Sequence, residues 1–397
     1  MSGDARRPDS GASERVSRGA SEPVPRDPGA RRILRLAHVL WSGALGGAET
    51  STALLAKYLR ERSVDARVVF VTAPGALCER LDAMDVPWAV LGMQRGSRTL
   101  LRPRALARLL SEHGPDGATL PAGGYLAAGL RLGGYSGRLV AVEHGEVSHV
   151  ADRPAWRRLL YRLSLASGVR AIDAQVAVSG ALLARLRSFP HAKNTVLIHH
   201  GIDLDSFGPI RPADESVSAS DPPVMGFGGR LVPGKGVEDL LAASAFVIRT
   251  LPHHLRIAGD GPDRARLEML ASRLGISSST EFLGWVTDMP AFWRGCELAI
   301  VPTNALFEGF GLVALEAMAC GRPVVASRNG GLPEVIADGD TGALFDPGNT
   351  PQMAAAIHRY LIDPVLRAAH GAAARRRCEE LFDIRRTAEA YQRLFEI

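Results

Sequence analysis

The sequence predicts two doubly wound α/β domains with Rossmann-like sheets that face each other across a cleft. Short apolar runs alternate with helical patterns along the chain, which is typical of parallel sheets built from βαβ units. The alternation occurs in two series, separated by a polar, proline-rich stretch. The length of 397 residues also suits two domains of ~150–200 residues each.

Residues 1–32 are expected to form a disordered tail, because they are rich in Arg, Ser, Pro and Gly and contain no apolar secretory region. No apolar run in the chain reaches the ~18–20 residues of a membrane span. The four cysteines, Cys78, Cys296, Cys320 and Cys378, lie far apart without a CxxC pair. This spacing favours a reducing, cytoplasmic location and argues against a zinc site.

The first domain is expected to cover residues 33–204. Its predicted strands are Ile33–Leu40, Ala66–Thr72, Arg138–Val142 and Ala174–Val178, and its predicted helices are Ala48–Arg62 and Arg102–Glu112. The polar stretch 205–223, which contains four prolines, is the predicted linker.

The second domain is expected to cover residues 205–383. Its predicted strands are Pro223–Phe227, His254–Ala258, Glu281–Leu283, Leu298–Val301 and Pro323–Ala326, and its predicted helices are Val237–Arg249, Asp263–Leu274 and Leu312–Ala319. The final helical stretch, at about 384–397, is expected to cross back to the first domain. Ligands are expected in the cleft, outside the carboxyl ends of the strands.

One candidate site follows the predicted strand that ends near Pro302. The run Phe307–Glu316 contains Gly309 and Gly311 just before a helix, and such a junction lets backbone amides and the helix N-terminus bind a phosphate. The carboxylates Glu308 and Glu316 belong to the same run. Eight helical residues would separate them by ~12 Å, which is wider than a glycosidase pair and suits two contacts along one extended ligand.

A second candidate is the glycine-rich loop Gly229–Gly236. Its sequence nearly matches the G-x-x-x-x-G-K-[ST] phosphate-binding loop, but Gly236 replaces the hydroxyl residue that would hold Mg²⁺. A nucleotide triphosphatase is therefore disfavoured. Arg230 and Lys235 remain as two cations that suit a diphosphate without a metal.

The first domain supplies weaker candidates at its own strand ends. Gly46 and Gly47 lie between a predicted strand and a helix, where their amides could reach the same phosphates. His144 also follows a predicted strand. Taken alone, these residues fit ordinary structural roles equally well.

Together the motifs resemble the retaining nucleotide-sugar glycosyltransferases of the two-domain GT-B architecture, of the large family four type. The resemblance covers roughly residues 33–397. Its strongest element is the E-x7-E spacing of Glu308 and Glu316, and further similar runs are Ala317–Ala326, Gly330–Glu334, Ile257–Pro262, Phe282–Val286 and Gly201–Asp203. The family resemblance says little about which sugar is transferred.

The resemblance implies a role for each candidate residue. Arg230 and Lys235 would neutralise the donor diphosphate, and Glu316 would hold the ribose hydroxyls. Glu308 would contact the donor sugar. His144 would lie near the reacting centre. The remaining donor-binding residues would be Gly46, Gly47, Gly309, Phe310, Gly311 and Leu312, acting mainly through backbone amides.

The implied reaction moves a sugar from a nucleoside-diphosphate sugar to a hydroxyl acceptor with retention of configuration and without a metal or other cofactor. The acceptor could be a glycolipid, a polysaccharide intermediate or a small molecule.

One departure from the family is His200, which stands where an Asn is common. The sequences Asp203-Leu204-Asp205 and Asp338-Gly339-Asp340 look like metal-binding DxD motifs, but both lie in predicted turns and are not assigned a metal.

The charge distribution leaves a membrane contact open. The net charge is +5, yet residues 33–205 carry +7 and residues 206–397 carry −4. Apolar residues recur at helical spacing beside arginines around Trp156, and a second basic cluster surrounds Arg102. These features suit either peripheral binding to the anionic inner face of a membrane or an ordinary amphipathic helix.

Three alternatives to a transferase remain: a sugar-nucleotide epimerase, a sugar phosphorylase of the same architecture, and an inactive partner that only binds the nucleotide sugar. No nucleic-acid-binding module is recognisable in the sequence.

Overall fold

The computed structural model describes residues 33–93, 103–121, 125–145, 168–188, 194–208, 222–305 and 307–396. The expected tail, the expected linker between residues 209 and 221, and the amphipathic segment around Trp156 lie outside these residues. The same holds for Arg95, Arg98 and Arg102 of the second basic cluster. Within the described ranges, no helix is both long enough and apolar enough to cross a bilayer.

The first domain is built on a seven-stranded parallel sheet in the order β3-β2-β1-β4-β5-β6-β7. The strands are β1 (Arg35–Leu40), β2 (Asp65–Phe70), β3 (Trp88–Val90), β4 (Gly117–Pro121), β5 (Arg138–Glu143), β6 (Ala174–Ala177) and β7 (Thr195–Leu197). The helices are α1 (Gly47–Glu61), α2 (Leu77–Ala83), α3 (Pro103–His113), α4 (Tyr125–Leu132) and α5 (Gly180–Arg187).

The second domain is built on a six-stranded parallel sheet in the order β10-β9-β8-β11-β12-β13. The strands are β8 (Val224–Gly228), β9 (His254–Ala258), β10 (Thr280–Gly284), β11 (Leu298–Val301), β12 (Val324–Ser327) and β13 (Gly342–Phe345). The helices are α6 (Val237–Val247), α7 (Arg264–Arg273), α8 (Met289–Arg294), α9 (Leu312–Ala319), α10 (Leu332–Val335), α11 (Thr350–Ile362), α12 (Pro364–Leu381) and α13 (Ile384–Glu396).

The burial of the strands explains this topology. Every residue of the central strands β8, β11 and β12 is buried, as expected for parallel strands covered by helices on both faces. The edge strands β3 and β7 are short and only partly buried. The predicted class of two doubly wound α/β domains is therefore confirmed.

The strand order reverses once in each sheet, between β1 and β4 in the first and between β8 and β11 in the second. Open parallel sheets bind ligands at such reversals, outside the carboxyl ends of the strands. The loop after β1 leads into α1, and the loops after β8 and β11 lead into α6 and α9. These three loops contain Gly46, the Arg230–Lys235 run and Glu308, so the topology alone places most of the candidate residues at the expected edges.

The C-terminal helix α13 packs along α1 of the first domain. Its apolar face carries Tyr391 and Phe395, which are 4% and 7% exposed. The ring of Phe395 lies so close to the backbone of Gly117, on β4, that a Cβ atom there would clash with it. The chain therefore returns from the second sheet and ends against the first.

Candidate functional site

The glycine-rich loop after β8 lies against the loop after β11. Gly236 adopts a left-handed backbone (φ 73°), and a Cβ atom there would clash with the carbonyl oxygen of Pro302. Backbone amides also join the two loops, because Asn304 N donates to the carbonyl of Gly234 over 3.0 Å. Glycine is therefore required at position 236 by close backbone packing, which also explains why no hydroxyl residue stands there.

Lys235 and Glu308 meet where these loops touch. The Lys235 ammonium donates to Glu308 Oε2 over 2.8 Å, and both side chains are largely buried, with 22% and 18% exposure. The Thr303 hydroxyl donates to the same carboxylate oxygen over 3.1 Å. The Glu308 backbone N–H donates to Asn329 Oδ1 over 3.3 Å, so the residue is held at both ends.

Arg230 has a different environment from Lys235. It lies at the start of the same loop, but its side chain is exposed. Its guanidinium makes no hydrogen bond or ion pair with any residue in the described ranges. Arg230 is thus a cation whose bonding capacity is available to a ligand.

Two helix N-termini from different domains meet beside this loop. Helix α9 begins at Leu312 after Gly311, and helix α1 begins at Gly47 after Gly46. A Cβ atom at Gly47 would lie 3.2 Å from Leu312 Cδ1, so the two helix starts are in contact. Each start presents unpaired backbone amides and a partial positive charge, an arrangement that suits an anion.

His144 contacts the same region from the first domain. It follows β5, and its carbonyl oxygen lies so close to Gly309 that a Cβ atom at residue 309 would clash with it. Burial holds the pKa of His144 down at about 4, so its imidazole is neutral near pH 7. The structure therefore brings His144 next to the Glu308–Gly311 loop, while Phe310 places its ring in the core, with 2% exposure.

Glu316 lies about one turn into α9 and is partly buried. The indole N–H of Trp293 donates to Glu316 Oε2 over 3.2 Å. Desolvation raises the pKa of the Glu316 carboxyl to about 7, while the Trp293 hydrogen bond and the charge of Arg80 act in the opposite direction. Arg80 belongs to the first domain and reaches the carbonyl of Thr287 across the cleft over 3.5 Å.

The structure also reveals contacts that the sequence analysis did not predict. Glu334 accepts hydrogen bonds from the amides of Gly180 and Ala181, at 2.6 and 2.8 Å, and thereby caps helix α5 of the other domain. His199 Nε2 lies 3.2 Å from the same carboxylate. The sequence run Gly330–Glu334 was a signal for Glu334, but its partner could not be predicted because the two residues are far apart in the chain.

The two carboxylate turns that resemble DxD motifs are occupied by protein contacts. Asp203 accepts hydrogen bonds from Ser206, and Asp205 pairs with Arg385. Asp338 pairs with Arg328 and accepts from the Leu344 amide. These carboxylates therefore stabilise turns and surface ion pairs.

Replacing Gly309 with alanine is expected to lower the free energy of unfolding by about 1–3 kcal/mol, and with it the thermal midpoint. The reason is that the new methyl group would clash with the carbonyl oxygen of His144. Gly295→Ala is the matched control in the same domain, since its nearest contacts are at 3.4 Å or more and its φ is −79°. Equal urea midpoints for the two variants would contradict this close contact between the domains.

Comparisons with known proteins show the family of this chain. The model of the family "Glycosyltransferase Family 4" matches residues 45–206, and that of "Glycosyl transferases group 1" matches residues 212–377. A crystal structure of Anabaena HepE in complex with UDP and glucose is similar over 91% of this chain and 99% of its own, with a TM-score of 0.76 and 25% identity. The same protein in complex with UDP-glucose gives an equal TM-score and identity.

Curated relatives point to the same group of enzymes. The GDP-mannose-dependent alpha-(1-6)-phosphatidylinositol monomannoside mannosyltransferase of Mycolicibacterium smegmatis is 32% identical over 287 residues, covering 68% of this chain and 73% of that protein. The D-inositol 3-phosphate glycosyltransferase of Saccharomonospora viridis is 36% identical over 216 residues, covering 51% and 49%. The chain therefore belongs to the GT-B glycosyltransferases of the group 1, family 4 type.

Proposed function

We propose that this glycosyltransferase moves a sugar from a nucleoside-diphosphate sugar to a hydroxyl acceptor, with retention of configuration and without a metal. The observation that carries the proposal is the cluster of positive groups at the two sheet reversals. Lys235 contacts Glu308 in the loop that leads into α9, the start of α1 lies against the start of α9, and Arg230 belongs to the same loop as Lys235. Backbone contacts between the loops after β8 and β11 fix their relative position. Fixed donors aimed at a leaving diphosphate stabilise its developing charge without a cation.

The roles within the site follow from the contacts. Lys235 and Arg230 would neutralise the diphosphate, and the amides at the two helix starts would bind its oxygens. Glu308 would contact the donor sugar from the position that Lys235 and Thr303 fix. Glu316 would accept the ribose hydroxyls, and neutral His144 would contact the donor sugar.

The relatives suggest which nucleotides to test first. The mycobacterial mannosyltransferase is GDP-mannose-dependent by name, and the Anabaena structures contain UDP or UDP-glucose. GDP and UDP are therefore the leading candidates for the donor nucleotide. Acceptors among glycolipids and saccharides are proposed from the same family, together with a cytoplasmic location. Contact with an anionic membrane stays a prediction from the sequence.

A thermal-shift panel with GDP, UDP, ADP and dTDP tests the donor site. A nucleotide present at 100 times its Kd should stabilise the protein by ~2.7 kcal/mol. Arg230→Gln should lose most of this shift without losing stability, because the guanidinium has no partner in the described ranges. Arg273→Gln is the control and should keep the shift, because Arg273 is also exposed and its guanidinium makes no hydrogen bond or ion pair within the described residues. No shift with any nucleotide would contradict the site.

Product analysis then separates the transferase from its alternatives. The matching nucleotide sugar is incubated with and without simple alcohols or sugars as acceptors, and the products are followed by NMR. A new glycoside with the donor's anomeric configuration supports a retaining transferase. An isomerised sugar nucleotide would indicate an epimerase, and binding without turnover an inactive partner. In a separate incubation without nucleotide sugar, the release of a sugar 1-phosphate from an oligosaccharide by inorganic phosphate would indicate a phosphorylase.

A further inference from the structure

Behind His144 lies a chain of hydrogen-bonding side chains that leads into the first domain. His144 Nδ1 is 3.1 Å from His200 Nε2, and the two rings are nearly parallel, with an angle of 14°. The other nitrogen of His200, Nδ1, is 2.7 Å from the hydroxyl of Ser51 on helix α1. His200 is 8% exposed and Ser51 is 7% exposed, so both groups are buried.

Both imidazoles of this chain are neutral near pH 7. Burial lowers the pKa of His200 well below its usual value, and it holds the pKa of His144 at about 4. A neutral imidazole has one N–H donor and one acceptor nitrogen. In each neutral ring, one nitrogen that accepts a hydrogen bond therefore leaves the other nitrogen protonated, as a donor, and one nitrogen that donates leaves the other as an acceptor.

The Ser51 hydroxyl sets this direction. Within the described residues, its hydrogen-bond partner is His200, whereas the neighbouring Thr52 donates to the carbonyl of Ala48. The Ser51 proton is satisfied when it is donated to His200 Nδ1, because a buried unpaired donor costs free energy. His200 then donates from Nε2 to His144 Nδ1. The remaining nitrogen of His144, Nε2, must carry a proton and acts as a donor.

The surroundings hold the His200 ring in place. The ring of Phe310, from the second domain, meets it edge-on with centroids 5.7 Å apart. His200 and Ser51 also line a cavity of about 20 Å³, together with His144 and His38. This volume admits a single water molecule. The Nε2 atom of His38 is buried without a partner in the described residues.

We propose that His200, oriented by Ser51, is a positioning residue for His144, and that the pair holds His144 as a neutral hydrogen-bond donor at Nε2. The consequence for the reaction rests on the proposed function: this N–H would bind an oxygen of the donor substrate. His200, the residue that departs from the common family pattern, thereby has a specific task in this chain.

The tautomer can be measured directly in the free protein. In protein labelled with ¹⁵N-histidine, long-range ¹H–¹⁵N spectra distinguish protonated from unprotonated ring nitrogens, and His144→Asn assigns the signals. We expect His144 to have a protonated Nε2 and an unprotonated Nδ1. Ser51→Ala should make the His144 signals those of a mixed or reversed tautomer. An unprotonated Nε2 in the wild type, or unchanged signals in Ser51→Ala, would overturn the proposal.

The kinetic arm uses slow release of nucleoside diphosphate from the nucleotide sugar that the thermal-shift panel identifies. Ser51→Ala and His200→Asn should each lower kcat roughly tenfold with little change in KM, because they disturb the orientation of one group at the reacting centre. His253→Asn is the matched control: His253 forms a similar buried pair with Ser244 in the second domain, over 2.8 Å. It should leave both kcat and the His144 signals unchanged.

The two arms separate the proposals. Absence of nucleotide binding by the wild type would refute the proposed function, while the spectra would still decide the tautomer of His144. Normal nucleotide binding with unaltered kcat in Ser51→Ala and His200→Asn would refute the positioning role and leave the proposed function standing.

Discussion

Replacing Lys235 with methionine is expected to lower kcat by roughly 10²–10³, the usual loss when one preorganised charge-stabilising donor is removed from an active site. Methionine keeps most of the length and the apolar stem of lysine but removes the ammonium. The diphosphate leaving group would then face Arg230 and the helix N-termini alone. Lys235 sits between Gly234 and Gly236 on a loop fixed by backbone contacts, so the substitution should leave the loop itself in place.

Lys57→Met is the matched control among the three lysines of the chain. Lys57 lies on α1 and pairs with Glu61 and Asp203, over 3.9 and 3.8 Å, away from the glycine-rich loop. Rates of donor turnover should stay within about twofold of the wild type, because such partly exposed pairs contribute little. Thermal midpoints verify that both variants are folded. Equal rates for Lys235→Met and Lys57→Met would remove Lys235 from the proposed mechanism.

The ion pair between Lys235 and Glu308 connects two roles that the family resemblance assigns separately. An ammonium group has three N–H donors. Lys235 can therefore keep its 2.8 Å contact with Glu308 and still bind an oxygen of the diphosphate. The pair would then tie the position of the sugar-contacting carboxylate to the position of the leaving group. In this arrangement the protein presents a preformed site rather than one that must break a salt bridge to bind its donor.

The sequence predicts most of the central elements because they carry strong local signals. The fully buried strands β8, β11 and β12 and the helix α9, which follows a glycine, lie within one residue of the predicted bounds. Strands β3, β4, β7 and β13 were not predicted. The edge strands β3 and β7 contain only three residues each, which are partly exposed. The central strand β4 is buried, but it begins at Gly117 and ends at Pro121, and both residue types are depleted in strands. Sequence patterns thus predicted nine of the thirteen strands that the structure describes.

Contacts between the loops could not be predicted in the same way. The approach of Gly309 to His144 and that of Gly47 to Leu312 depend on how two sheets come together, and each joins residues more than 160 positions apart. The positioning role proposed for His200 also depends on tertiary contacts. Its unusual identity was visible in the sequence, but its partners Ser51 and His144 are brought together by tertiary structure.

Glu316 is expected to make nucleotide binding depend on pH. Desolvation raises the pKa of its carboxyl to about 7, and Trp293 supplies one hydrogen bond to it. Ribose hydroxyls would add donors that favour the ionised form, so binding should lower this pKa. Below about pH 7, the Glu316 carboxyl is protonated in the free protein, so nucleotide binding must remove that proton, which weakens the affinity. Affinity should therefore rise as the pH approaches 7 and level off above it.

Glu316→Gln tests this expectation, because glutamine keeps the shape of the side chain and cannot ionise. At about pH 8 the variant should bind the nucleoside diphosphate roughly 10- to 100-fold more weakly, the value of hydrogen bonds to a charged acceptor. At about pH 5.5 the two proteins should converge, since the wild-type carboxyl is then protonated. Calorimetric titrations across this range provide the measurement. The nucleotide's own phosphate ionises in both experiments, so only the difference in affinity between wild type and variant reports on Glu316. Parallel pH profiles for the two proteins would show that Glu316 does not bind the ribose in its charged form.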